Sequence, residues 1–181
     1  MGRFSVEETG IKDLKVIKIE PFKDDRGYFF EAYNKNDFIK MGITEEFVQD
    51  NQSMSSKGVL RGLHFQINFP QSKLVRCLKG KVYDVAVDIR KGSPTYGKYF
   101  GVILSEDNNT MFYIPKNFAH GFLVLSDTAV FTYKVTDFYH PNDEGGIMWN
   151  DPTLNINWPK IDTEIILSEK DKIHPPFSKL S

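Results

Sequence analysis

The chain has 181 residues, 40% of them hydrophobic, which suits one globular domain with its own core and excludes a disordered or fibrous chain. A formal net charge of -1 excludes bulk electrostatic binding to nucleic acid or to anionic lipid, so any basic site must be local. Cys77 is the single cysteine and falls in the apolar run 74–78, so it reads as an inert buried thiol in a reducing compartment, with no intrachain disulfide.

The N-terminal stretch Met1-Gly-Arg-Phe-Ser-Val-Glu-Glu8 lacks the apolar segment of a signal peptide, and no apolar run is long enough to cross a bilayer. The expectation is a cytoplasmic protein with neither membrane nor nucleic acid as partner. β-Type runs at 14–21 and 28–33 come first, followed by a short helix over 35–41 that Gly42 ends. Further strands are predicted at 47–51, 58–66, 73–78, 81–89, 98–104, 111–115, 120–125 and 129–139. Turn residues at 79–81, 92–94, 107–109 and 126–127 separate several of them. Short strands at this spacing, with no βαβ interval, predict a mainly β sandwich or small barrel forming a single domain over 1–181. The tail changes character after Trp158-Pro159, and 164–172 reads as a short helix or an extended lid.

The strand Gly58-Val-Leu-Arg-Gly-Leu-His-Phe-Gln66 is the most informative segment, because an aliphatic run has no structural need for Arg61 or His64. Imidazole takes and returns a proton near neutral pH, and a guanidinium suits phosphate oxygens. Strict alternation would send the two side chains to opposite faces; a bulge at Gly62 would re-aim one of them. In 129–139, Tyr133 shares a face with Ala129, Phe131 and Val135, where its hydroxyl could donate a proton. Lys73 opens an apolar strand and is either a solvated ammonium or a cation for a developing enolate. Arg26 with Arg61 could clamp a diphosphate, and Glu31, Gln49 and Asn51 could hydrogen-bond a base or sugar; Glu144, on a turn, is by default solvated.

The segment Tyr113-Ile-Pro-Lys-Asn-Phe-Ala-His-Gly-Phe122 resembles the second cupin motif, with Asn117 in place of a glycine. Metal-binding cupins add a His-x-His pair, whereas Phe65 and Gln66 follow His64 here; no metal site is expected, and His120 is expected to touch substrate or orient another side chain. An ordered set of segments resembles the dTDP-4-dehydrorhamnose 3,5-epimerase family from about residue 14 to 172. It includes Asp25-Arg-Gly-Tyr-Phe-Phe-Glu31, Phe47-Val-Gln-Asp-Asn51, the strand 58–66, Lys73-Leu-Val-Arg76, Asp84-Val-Ala-Val-Asp-Ile-Arg90 and Ser93-Pro-Thr-Tyr-Gly97. Ile114-Pro-Lys-Asn-Phe-Ala-His-Gly-Phe122, Tyr133-Lys134, Gly145-Gly-Ile-Met-Trp-Asn-Asp151 and Leu167-Ser-Glu-Lys-Asp171 complete it.

The resemblance implies a cupin-type antiparallel jelly roll with a few short helices. It also implies 3,5-epimerisation of a dTDP-4-keto-6-deoxy sugar on the route to dTDP-L-rhamnose. It makes His64 the proton acceptor, Asp171 its carboxylate partner and Tyr133 the proton donor. Arg26, Glu31, Gln49, Asp50, Asn51, Arg61, Lys73, His120, Glu144 and Lys170 become substrate contacts, and no cofactor is needed. It further implies a homodimer with exchanged N-terminal strands (about 14–33), so that Arg26 and Glu31 serve either their own pocket or the partner's. Asn117, and Ser72 before Lys73, depart from the family's usual glycines. Rival readings are a C3-only epimerase or 3,4-ketoisomerase, a non-catalytic nucleotide-sugar binder and a metal oxygenase.

Overall fold

Two antiparallel sheets face one another in the computed structural model, which describes residues 3–180. The first strands are β1 (Phe4–Glu8), β2 (Lys15–Ile19), β3 (Phe22–Asp24) and β4 (Gly27–Phe29), followed by helix α1 (Lys35–Lys40). Then come β5 (Gln49–Ser56), β6 (Leu60–Gln66), β7 (Lys73–Lys79), β8 (Lys81–Asp88) and β9 (Tyr99–Ser105). The last are β10 (Thr110–Ile114), β11 (Phe118–Val124), β12 (Thr128–Val135), β13 (Glu144–Gly146) and the one-turn helix α2 (Glu169–Lys172). One sheet has the order β1-β2-β10-β7-β12-β5 and the other β13-β6-β11-β8-β9, while β3 and β4 pair as a separate hairpin. From β5 to β12 the chain crosses repeatedly between the two sheets, which is the jelly-roll arrangement expected of a cupin.

Alternation along the strands sorts the core into layers. Val75, Val82, Ala86, Phe112, Phe118, Phe122 and Phe131 fill the space between the sheets. Val85, Val87 and Ala119 point the other way and would meet solvent, but Ile147, Leu154 and Phe177 from the C-terminal segment cover them. The outer face of the six-stranded sheet is closed by α1 and the chain beside it, through Phe38 and Ile43 packed on Ile17 and Met111. Burying a side chain such as Phe38, Phe112 or Phe131 contributes about 1.5–3 kcal/mol each.

Helix α1 forms where predicted: Asn34 accepts from the backbone N–H of Asn36 at 3.1 Å, and Gly42 (φ 82°) turns the chain away at the other end. Strands β1, β3 and β13 lie outside the predicted set. Each is short, and β1 carries two glutamates that an edge position tolerates: Lys18 pairs with Glu7 at 2.7 Å and Lys15 with Glu8 at 2.9 Å. Strand β12 ends at Val135 rather than 139, leaving Phe138 and Tyr139 exposed on the following loop. The segment predicted as helix or lid is both. Ile166 hydrogen-bonds along Gly58 and Leu60 as an extended strap, then Ser168 caps α2. No helix among the described residues is long and apolar enough to cross a membrane.

Candidate active site

A cavity of about 460 Å³ opens between the two sheets. His64 and Arg61 on β6 and His120 on β11 enter it from the five-stranded sheet, and Lys73 on β7 and Tyr133 on β12 from the six-stranded one. Glu144 at the start of β13, with Ser168, Lys170 and Asp171 from the strap and α2, closes one side.

The parity conflict between Arg61 and His64 is resolved by a bulge. On β11, His120 pairs with His64 and Phe122 with Arg61, so β6 uses one residue more than β11 over this stretch. Gly62 takes φ 111°, and a Cβ there would meet the carbonyl oxygen of His120 at 2.5 Å and the Cα of Gly121 at 2.7 Å. Only glycine fits, and the extra residue brings both polar side chains to the same cavity. Asn117 adopts φ 61° in the β10–β11 turn, the left-handed conformation asparagine tolerates best among side-chain-bearing residues. Ser72, the other departure, is fully buried and donates to Glu45 at 2.7 Å.

His64 Nε2 lies 2.5 Å from Asp171 Oδ1, which assigns the proton between them to Nε2 and leaves Nδ1 to take a proton. Nδ1 stands 3.9 Å from Glu144 Oε1. Burial works to raise the pKa of Asp171, but the His64 bond, the His64 charge and the Ser168 hydroxyl donating at 2.9 Å outweigh it and keep the carboxyl below its usual range. A second pair lies deeper: His120 Nε2 is 2.9 and 3.0 Å from the two oxygens of Asp84, a fully buried residue whose pKa burial raises against the pull of His120 and Lys73.

Lys73 is 9% exposed, and burial lowers its pKa from 10.5 to about 8 despite the opposing charges of Glu144 and Asp84. Burial raises the pKa of Tyr133, with Arg61 pulling the other way, so the phenol keeps its proton at neutral pH. Arg61 itself donates to Ser55 at 3.1 and 3.2 Å. Lys170 and the Tyr139 hydroxyl both donate to Glu144 Oε2; burial pushes the Glu144 carboxyl up, and these donors with His64 pull it lower overall.

Eight of the thirteen residues singled out from the sequence therefore line one cavity: His64, Tyr133, Asp171, Arg61, Lys73, His120, Glu144 and Lys170. The other five do not line it. Gln49 and Asn51 sit on edge strand β5, hydrogen-bonded to each other at 2.8 Å, with Asn51 directly opposite Tyr133. Asp50 has the opposite parity and pairs with Lys134 at 2.9 Å on the outer face. Arg26 occupies the tip of the β3–β4 hairpin, its side chain 90% exposed and bonded to Asp24. Glu31 follows that hairpin, with Oε2 buried and lacking a hydrogen-bond partner. Sequence reasoning missed Tyr139 and Asp84 as polar participants and missed His174, whose i,i+3 spacing from Asp171 was the available signal.

His64, Asp171 and His174 are the types of residue that bind metals, and their ligand atoms lie within 4.8 Å of one another. Yet the 2.5 Å between His64 and Asp171 is a hydrogen-bond distance, and tetrahedral zinc ligands stand about 3.3 Å apart. As arranged, the group suits a shared proton better than a cation.

A carboxylate-backed imidazole, a buried ammonium and a protonated phenol around one cavity define an acid–base enzyme of the cupin type. The family model described as dTDP-4-dehydrorhamnose 3,5-epimerase matches residues 8–179, and the chain belongs to that family. The epimerase of Methanothermobacter thermautotrophicus is 49% identical over 178 residues, 98% of this chain and 96% of that protein. The crystal structure of the Legionella pneumophila enzyme in complex with dTDP-4-keto-L-rhamnose is 48% identical, with TM-score 0.95, covering 99% of this chain and 95% of that one. A 3'-monoepimerase from Streptomyces bikiniensis in complex with dTDP-quinovose is 31% identical, with TM-score 0.86, covering 93% of this chain and 86% of that one.

Proposed function

We propose that this protein epimerises dTDP-4-dehydro-6-deoxy-D-glucose at C3 and C5, giving dTDP-4-dehydro-L-rhamnose for dTDP-L-rhamnose biosynthesis. The observation that carries the reading is the placement of His64 and Tyr133 on opposite sheets with a cavity between them. The 4-keto group acidifies the hydrogens on both neighbouring carbons. His64 Nδ1 takes one of them, and Asp171 stabilises the imidazolium that forms. Lys73, charged below pH about 8, holds the enolate oxygen. Tyr133 returns a proton from the other side of the sugar ring, which inverts the carbon; His64 then releases its proton to solvent and the Tyr133 phenolate takes one up, and the reset pair acts at the second carbon. One proton leaves and one arrives at each centre, so the chemistry balances with no change of oxidation state.

Arg61 serves the diphosphate, and His120, held by Asp84, serves the sugar. Arg26 and Glu31 complete a partner's pocket in a homodimer. This is supported by the exposed aromatic hairpin around them, with Tyr28 65% and Phe29 68% exposed, and by the unsatisfied Glu31 oxygen. Gln49 and Asn51 lie on the same edge of the six-stranded sheet as Tyr133's neighbours and extend the site toward the nucleotide. Incubating the protein with the dTDP-4-keto sugar in deuterated water tests the reading by NMR. Label at C3 and C5 with L-configured product is expected. Label at C3 alone would assign the monoepimerase reaction instead, and no label would remove the enzymatic reading.

A further inference from the structure

We propose that His174 is a positioning residue for the His64–Asp171 pair, supplying the second donor to Asp171 Oδ1 and a wall for the His64 ring. The inference rests on the reading of His64 as the base and adds a residue to it. His174 follows α2, its side chain 8% exposed, with Nε2 at 3.3 Å from the same Asp171 oxygen that His64 approaches. That nitrogen is turned off a straight hydrogen-bond line and has no other protein partner, and a small ring rotation toward Asp171 would satisfy it. The rings of His64 and His174 meet edge to face, 5.3 Å between centroids and 78° between planes.

Gly146 makes the room. It pairs with His64 across β13 and β6, and a Cβ there would fall on three atoms of the His174 ring. Its backbone is not in the left-handed region that favours glycine, so the imidazole accounts for glycine at this position. The backbone N–H of Met148 donates to the carbonyl of Pro175 at 2.9 Å, which pins the segment beyond His174 to the chain after β13.

Burial, then the charges of His64 and Lys170, depress the pKa of His174 against the pull of Asp171, so it stays neutral and donates through one nitrogen only. A donor on Asp171 draws carboxylate charge away from His64 and keeps the base weak enough to release its proton. Asp171 and Glu144 are the acids that face His64, and His174 is the second imidazole beside it.

Steady-state kinetics of H174F and H174Q across pH 5 to 9, with the dTDP-4-keto sugar, read this out. The H174F variant is expected to lose about 10–100-fold in kcat with KM unchanged. The acid limb of its kcat/KM profile should move up by about one pH unit once Asp171 loses that donor. H174Q, which places an amide N–H near the same point, should restore both. Wild-type behaviour of H174F, or equal impairment in H174Q, would overturn the proposal. Nitrogen-15 NMR of histidine-labelled wild-type protein decides it independently of variant folding: His174 should be neutral with its proton on Nε2, and an unprotonated Nε2 would refute the assignment. Failure of wild-type protein to exchange label at C3 and C5 would instead refute the epimerase reading itself.

Discussion

Lys73 is where stability and catalysis pull apart most sharply. Its pKa falls from 10.5 to about 8 on folding, which corresponds to at most about 3 kcal/mol lost in keeping the buried ammonium charged at neutral pH. Below pH 8 the group is charged in the folded and the unfolded chain, and the cost is complete. Between 8 and 10.5 the unfolded chain holds the extra proton, so the stability of the wild-type protein climbs with pH relative to a variant without the group. Above 10.5 both states are neutral and the cost vanishes. Methionine matches the lysine stem without the charge. The K73M variant should therefore melt higher than the wild type at pH 7, by up to about 10 °C for a chain of this size. The gap should close between pH 8 and 10.5. The same variant should lose about 10²-fold or more in kcat, as expected for removing the group that holds a developing enolate. Differential scanning calorimetry across pH and epimerase assays check both halves. A K73M protein that melts lower at pH 7, or a gap that ignores pH, would refute the electrostatic reasoning; near-wild-type kcat would refute the catalytic role.

Other outcomes follow from the same geometry. The D171N variant leaves His64 without its carboxylate, and kcat should fall about 10²–10⁴-fold with substrate affinity retained in equilibrium binding. G62A drives a Cβ into the His120 carbonyl, so activity should fall and chemical denaturation should show a loss of about 1–3 kcal/mol. Asp88 is fully buried, and although burial opposes ionisation, bonds from Arg90, Thr95 and Ser93 hold its pKa down at about 2. Because that pKa is depressed, the stability it contributes, about 2 kcal/mol, is present above pH 4 and lost as pH falls toward 2; D88N should lack it at pH 7 in urea melts.

The sequence made much of the site legible because its polar residues interrupt apolar strands. Tyr133 could be placed on an inward face by alternation, whereas Lys73, opening its strand, stayed open between a solvated ammonium and a buried cation; both line the cavity. His64 and Arg61 required Gly62 to break the alternation, a possibility visible in the sequence but settled by the three-for-two pairing with β11. Asp171 is different in kind. It reaches His64 through a strap that returns along Gly58 and Leu60, a contact 107 residues distant that no local pattern encodes. His174 was missed although its i,i+3 spacing from Asp171 is local, because that spacing gains meaning only in an environment made by Gly146 and Asp171 together. Strands β1 and β13 were missed because their few residues, two or more of them glutamate or glycine, carry almost no periodic signal; their partners create them. Arg26 and Glu31 could be singled out by composition, but a single chain leaves them away from the cavity.

Positional deuterium exchange in wild type, H64A and Y133F, followed by NMR together with product configuration, addresses the division of labour between the two sheets most directly. Wild-type protein should exchange and invert C3 and C5; H64A should do neither at an appreciable rate while remaining folded; Y133F should exchange at C3 without inverting. Exchange by H64A at the wild-type rate, or normal inversion by Y133F, would contradict the assignment of base and acid to opposite walls of the cavity.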